Sequence, residues 1–152
     1  MKIYTIRAYQ DIPVSIDEAW DFFSNPNNLP EITPPWLNLK VTSELPNKMY
    51  EGMIITYKVY PLLGIPQNWV TEITTVKEKS FFIDEQRFGP YKFWHHQHRF
   101  KETGDRVEME DIVNYALPCD PLSRPLNYFL VGKKVKGIFE YRKKVLENYF
   151  SG

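Results

Sequence analysis

NYFLVGKKVKGIFEYRKKVLENY, residues 127–149, decides how the rest of the chain must fold. Its apolar residues Val131, Val135, Ile138, Phe139, Val145, Leu146 and Tyr149 recur at helical spacing, which predicts one apolar stripe on one long helix. Most of the sequence before it reads as strand, with a single short helix near the start. A sheet that exposes two faces must bury its apolar one, and this helix is the only large partner available. The expected architecture is therefore α+β: a curved antiparallel sheet of about seven strands gripping the C-terminal helix. Within the grip, Val135, Ile138, Phe139 and Leu146 are expected to face the sheet, so that Ile138→Asp would bury an unpaired charge and unfold the domain.

Working back from that helix, the punctuation is clear. Residues 2–12 read as a first strand ended by Pro13. Ser15 and Glu18 form a capping box that opens a helix carrying Ala19, Trp20 and Phe23 on one face, and Asn25-Pro26 stops it. The four prolines of PNNLPEITPPW (26–36) predict a short helical turn or loop. Strands are expected over 37–43, 53–60, 67–76, 80–87, 91–101 and 106–116, joined by turns such as Phe88-Gly89-Pro90 and Thr103-Gly104-Asp105. PCDPLSRP (118–125) is a loop that feeds the final helix. No repeat, low-complexity segment or linker divides the chain, so residues 1–152 read as one domain.

Composition excludes several classes of function. Lys plus Arg and Asp plus Glu number 19 each, leaving no net basic charge to draw the protein onto nucleic acid. No apolar run approaches a membrane span or resembles a signal peptide, so stable membrane insertion is not expected and a cytoplasmic location is the default. The one cysteine, Cys119, permits no internal disulfide and no metal cluster, and no histidine adjoins it to make a nucleophile. The glycines are scattered singly, without a phosphate-cradling loop. Lys133, Lys134, Lys136, Lys143 and Lys144 read as a solvated helix face interrupted by Glu140 and Glu147.

The order β-α-β6-α resembles that of the helix-grip superfamily SRPBCC, which includes START lipid-transfer domains, birch-pollen-allergen-like proteins and polyketide cyclase/dehydrase-like proteins. GPYKFWHHQHRF (89–100), MEDIVNYALP (109–118), IFEYRKKVL (138–146) and GIPQNWVTEI (64–73) are similar to a bacterial subgroup that occurs alone or fused to an epimerase-like domain. What the resemblance implies is the fold and a ligand cavity. It does not imply a reaction, because the superfamily holds both carriers and enzymes.

The chemistry-bearing residues cluster. His95, His96 and His98 are all the histidines in the chain. By the strand period of two, Trp94, His96, His98 and Phe100 share the inward face. Asp111 falls opposite His96 or His98, on a face otherwise shared with Met109, Val113 and Tyr115, and a buried carboxylate there calls for an imidazole donor. That pairing admits three readings: a structural hydrogen bond in the pocket wall, a polar group that orients a ligand, or a metal or acid–base site with Asp111 as third partner. Of the aromatic residues, Trp20, Phe23, Trp36, Tyr57, Trp69, Phe82, Trp94 and Tyr115 are the set from which a cavity would be lined. The ligand-binding residues are expected to be His96, His98, Asp111, Trp69, Trp94, Tyr57, Tyr115 and Phe82, with no catalytic residue, cofactor or metal assigned. Gly132 and Gly137 are expected to leave room for a ligand or a close strand, and loops 61–66 and 30–36 to sit at the cavity mouth.

The function that follows is binding or carrying a hydrophobic or aromatic small molecule, lipid or polyketide-like, in a cavity between sheet and helix. Two alternatives stand beside it. One is a cyclase/dehydrase-like enzyme that moves protons through His96, His98 and Asp111. The other is a regulatory protein-interaction module with a vestigial cavity. Oligomeric state is not expressed in the sequence.

Overall fold

In the computed structural model, which describes residues 1–61 and 63–151, seven strands form one antiparallel sheet: β1 (Tyr4–Ile12), β2 (Lys40–Val41), β3 (Ile54–Val59), β4 (Gln67–Lys77), β5 (Phe81–Phe88), β6 (Phe93–Thr103) and β7 (Arg106–Ala116). Their spatial order is β1-β7-β6-β5-β4-β3-β2. The first two strands in sequence therefore lie at opposite edges. Helix α1 (Ile16–Phe23) and two 3₁₀ turns (Pro26–Ile32 and Pro35–Leu37) cross between them. The Ser15 hydroxyl caps α1 by accepting from the Glu18 N–H, as the capping box predicts.

Short turns drive the hairpins. Gly104 adopts φ +65 in the two-residue turn between Thr103 and Arg106, a conformation glycine takes without steric cost. Two register shifts interrupt the pairing of β4 with β5, at Val70/Thr71 and Ile73/Thr75. Such bulges bend the strand that carries them and help the sheet to curve.

The concave face packs on a helical rod. It opens with a turn, α2 (Arg124–Leu126), passes through a π turn (Asn127–Val131) and continues as α3 (Gly132–Phe150). Val135, Phe139, Arg142 and Leu146 are its buried positions in α3. Tyr149, expected on this stripe, is instead 56% exposed, and Phe150 is half-buried against the core. The cause is phase: Phe150 stands four residues beyond Leu146, nearer the centre of the stripe than Tyr149. Ile138 is half-buried rather than central, because it borders an open cavity.

The core has two parts. One gathers α1 around Trp20, Phe22 and Phe23 with Phe82, Phe100, Met109 and Leu146; the other joins Trp69, Trp94, Val113 and Tyr115 to Val131, Val135 and Phe139. The strand expected over 37–43 is reduced to Lys40–Val41, because Trp36 and Leu37 close a 3₁₀ turn whose C-cap, Asn38, is left-handed at φ 48. The two helix glycines do not make the expected clearance for a strand. A Cβ on Gly137 would meet nothing within 4 Å, whereas one on Gly132 would lie 3.0 Å from the Asn127 carbonyl oxygen of the π turn.

Candidate ligand cavity

Between the sheet and α3 lies a cavity of about 340 Å³. Most of its wall is apolar. The sheet contributes Ile55, Tyr57, Val59, Trp69, Ile73, Phe82 and Trp94, and the helix contributes Val131, Val135, Ile138 and Phe139. Ile32, Thr33, Trp36 and Pro61 also line it. These residues come from the two loops expected to border the cavity, of which Leu62 lies outside the described residues. Lys134 closes over the Trp36 ring at 4.5 Å, so this lysine belongs to the rim rather than to a plain solvated face.

A cluster of ionisable groups interrupts the apolar wall, formed by Asp84, His96, His98 and Arg142. It divides the two parts of the core. His98 stacks on Phe82 at 4.0 Å on one side; on the other His96 meets the edge or face of Phe139 at 5.4 Å and of Trp94 at 6.3 Å. Register builds the cluster: β5 pairs Asp84 with His96, and β7 pairs Asp111 with His98. His96 Nε2 lies 2.8 Å from Asp111 Oδ1, the imidazole–carboxylate contact that the sequence predicts. His98 Nε2 lies 2.5 Å from Asp84 Oδ2. The remaining ring nitrogens cross over: His96 Nδ1 is 3.4 Å from Asp84 Oδ2, and His98 Nδ1 is 3.4 Å from Asp111 Oδ1. Arg142 Nη1 donates to Asp111 Oδ1 at 3.3 Å, while its Nε is buried without an acceptor among the described residues.

These contacts set the charge states. Burial pushes the Asp111 carboxyl up, but Arg142, His96 and His98 outweigh it and hold the group far below the usual carboxylate range. Burial also raises Asp84, and His96, His98 and Arg142 reverse that into a net lowering. Burial and the adjacent His96 pull His98 down to about 4, against the opposing pull of both carboxylates. Burial, reinforced by Asp84, drives the Tyr57 hydroxyl well above its ordinary range, and that hydroxyl stays neutral, 3.0 Å from Thr71 Oγ1.

Six of the eight residues expected to bind ligand line the cavity: Tyr57, Trp69, Phe82, Trp94, His96 and His98. Two do not. Asp111 lies behind His96 and faces the crevice between β1 and α3 beside Ile6, Ala8 and Lys136. Tyr115 is 1% exposed, stacks on Tyr4, and donates its hydroxyl to Asn127 Oδ1 at 2.6 Å, anchoring the π turn. Of the wider aromatic set, Trp20 is core, and Phe23 and Trp36 reach the cavity. Two residues of the cluster are additional to the sequence reading, Asp84 and Arg142. Both were marked by position: Asp84 stands opposite His96 across the 88–90 turn, and Arg142 lies on the apolar stripe of the helix. Cys119 is exposed and distant in sequence from every histidine.

A family model described as polyketide cyclase / dehydrase and lipid transport matches residues 12–144. No curated protein matches the chain. Among solved structures, a START superfamily protein from Mycobacterium smegmatis superposes with a TM-score of 0.72 at 13% identity, covering 97% of each chain. Norcoclaurine synthase from Thalictrum flavum gives 0.67 at 13%, covering 97% of this chain and 96% of that one. A nucleoside-diphosphate sugar epimerase from Corynebacterium glutamicum gives 0.65 at 19%, over 93% of this chain but 28% of its own. At these identities the likeness is one of fold. Among the described residues, no helix is long and apolar enough to cross a membrane.

Proposed function

The chain belongs to the polyketide cyclase/dehydrase and lipid transport family, and from that premise we propose that it binds or carries an amphipathic small molecule with a hydrophobic or aromatic body. One observation carries the reading: a cavity of about 340 Å³ with mostly apolar, aromatic walls and a buried ionisable pole at Asp84, His96, His98 and Arg142. That volume lies within the range of small-molecule pockets, and a few convergent polar groups on an apolar wall are what orients such ligands. The aromatic body lies against Trp69, Trp94 and Tyr57, and its polar end points to the imidazoles. A space of this size argues against a vestigial cavity in an interaction module.

Native mass spectrometry of protein purified from its own host tests the proposal. A co-purifying apolar compound, displaced by substitution of Trp94 with a small residue, supports it. A ligand-free protein whose tryptophan fluorescence ignores a panel of lipids and aromatic polyketide-like compounds overturns it.

The enzyme reading keeps one supporting observation. Asp84, His96 and His98 border the cavity itself, where proton donors and acceptors of a cyclase/dehydrase-like reaction would have to stand. Against it, each of these groups is already paired within the cluster. A ligand recovered chemically altered after incubation decides for the enzyme.

A further inference from the structure

We propose that Asp84, His96 and His98 bind a divalent first-row transition ion such as Zn²⁺ at the polar pole of the cavity. One ligand atom from each of the three residues can be chosen so that all lie within 4.8 Å of one another. Nδ1 of His96 and Nε2 of His98 both turn toward the Asp84 carboxylate, at 3.4 and 2.5 Å. Two imidazoles and one carboxylate are a donor set suited to zinc and its neighbours in the series.

Tautomers favour a cation over the bare hydrogen-bond network. A neutral imidazole carries one N–H. If the His96 N–H points to Asp111 at 2.8 Å, its Nδ1 lone pair faces the Asp84 carboxylate. If the His98 N–H points to Asp84, its Nδ1 lone pair faces Asp111. Either way a lone pair opposes a carboxylate oxygen. With an ion at Asp84, both N–H groups turn to Asp111 and the conflict disappears. Asp111 then occupies the position of the outer carboxylate that metal-bound histidines usually engage, and Arg142 anchors it. The three ligand residues all line the cavity, so remaining coordination positions open toward the space where the organic ligand lies. The sequence brings only Asp111 into view as a third partner; β5 supplies the better one.

Equilibrium dialysis of chelator-stripped protein against Co²⁺, read by visible absorption, tests the site. We expect one equivalent per chain with ligand-field bands, displaced by Zn²⁺. Asp84→Asn and His98→Gln should each lose at least tenfold in affinity, and Asp111→Asn should lose roughly 10–100-fold. His95→Gln, on the opposite face of β6, should bind as the parent does. Nitrogen-15 spectra of the parent protein, with its three imidazoles, remove any dependence on variants that fold poorly: Zn²⁺ should shift His96 and His98 and leave His95. Absence of stoichiometric binding, affinity in Asp84→Asn and His98→Gln equal to the parent's, or a shift confined to His95 overturns the proposal. Capture of the apolar ligand is measured separately in chelator, so the two readings fail independently.

Discussion

The imidazoles of His96 and His98 lie 3.7 Å apart, centroid to centroid, 31° from parallel. At that separation two positive rings in a cavity wall would repel strongly, and the neighbouring His96 adds to burial in lowering the proton affinity of His98. In the metal-free protein this makes acid the weak side of the fold. His98 takes up its proton near 6.5 when unfolded and only near 4 when folded. As pH falls through that window the unfolded chain binds more protons, and stability is lost by up to about 3 kcal/mol from this group. Asp84 and Asp111, both lowered in the fold, add losses at still lower pH. Denaturant titrations in chelator between pH 7 and 4.5 check this. The slope should flatten in His98→Asn, and stability that rises toward acid would contradict the assignment.

Asp111 and Arg142 should behave as one unit. Removing the carboxylate's charge leaves the buried guanidinium without the counter-ion it donates to, which costs on the order of 3 kcal/mol. Asp111→Asn is expected to keep the fold, with an unchanged circular dichroism spectrum and a lowered midpoint. Combining it with Arg142→Met should cost less than the sum of the two single changes. Additive losses would show that the pair is not energetically linked.

Leu146 and Ile138 lie on one helix but do different work. Leu146 is 0% exposed, and its truncation to Ala should cost roughly 2–5 kcal/mol. Ile138 borders the cavity. Ile138→Asp should therefore lower the melting temperature less than Leu146→Asp does, while abolishing capture of an apolar fluorescent probe. This revises the unfolding expected when the stripe is read as solid core.

The two helix glycines supply a matched comparison. Gly137→Ala adds a methyl into open space inside α3 and should stabilise by about 0.5–1 kcal/mol. Gly132→Ala drives its methyl against the Asn127 carbonyl oxygen and should give no such gain. Thermal melts of the two variants side by side are sufficient.

Where local chemistry and periodicity agree, the chain declares its structure before folding. β7 spans Arg106–Ala116 as expected, because a glycine turn precedes it and Pro118 follows closely on its end. The segment 37–43 fails because propensity there is overridden by the proline-rich turn that delivers Leu37 to the cavity. Asp84 is hidden in the polar run Asp84-Glu85-Gln86, which looks like a solvated strand end. Only the β5–β6 register, the argument that located Asp111, brings it inward. Arg142 is masked by its neighbours Lys143 and Lys144. Its spacing from Phe139 and Leu146 marks it as buried, and burial is what demands Asp111 as partner. Tyr115 was drawn toward the ligand by its aromatic character, yet its hydroxyl is needed by Asn127.

The π turn between Asn127 and Val131 acts as a phase shifter. Successive residues of an α-helix advance by about 100°, and one extra residue per turn rotates everything upstream of it against everything downstream by about that angle. Ser123 and Leu126 ahead of the turn and Arg142 beyond it thereby line the same space from two halves of one rod. A single-residue deletion within 128–130 would restore ordinary winding. With α3 held by the buried Val135, Phe139 and Leu146, the segment ahead of the turn would swing away, opening the wall at Ser123 and Leu126 while the part of the chamber under α3 kept its shape.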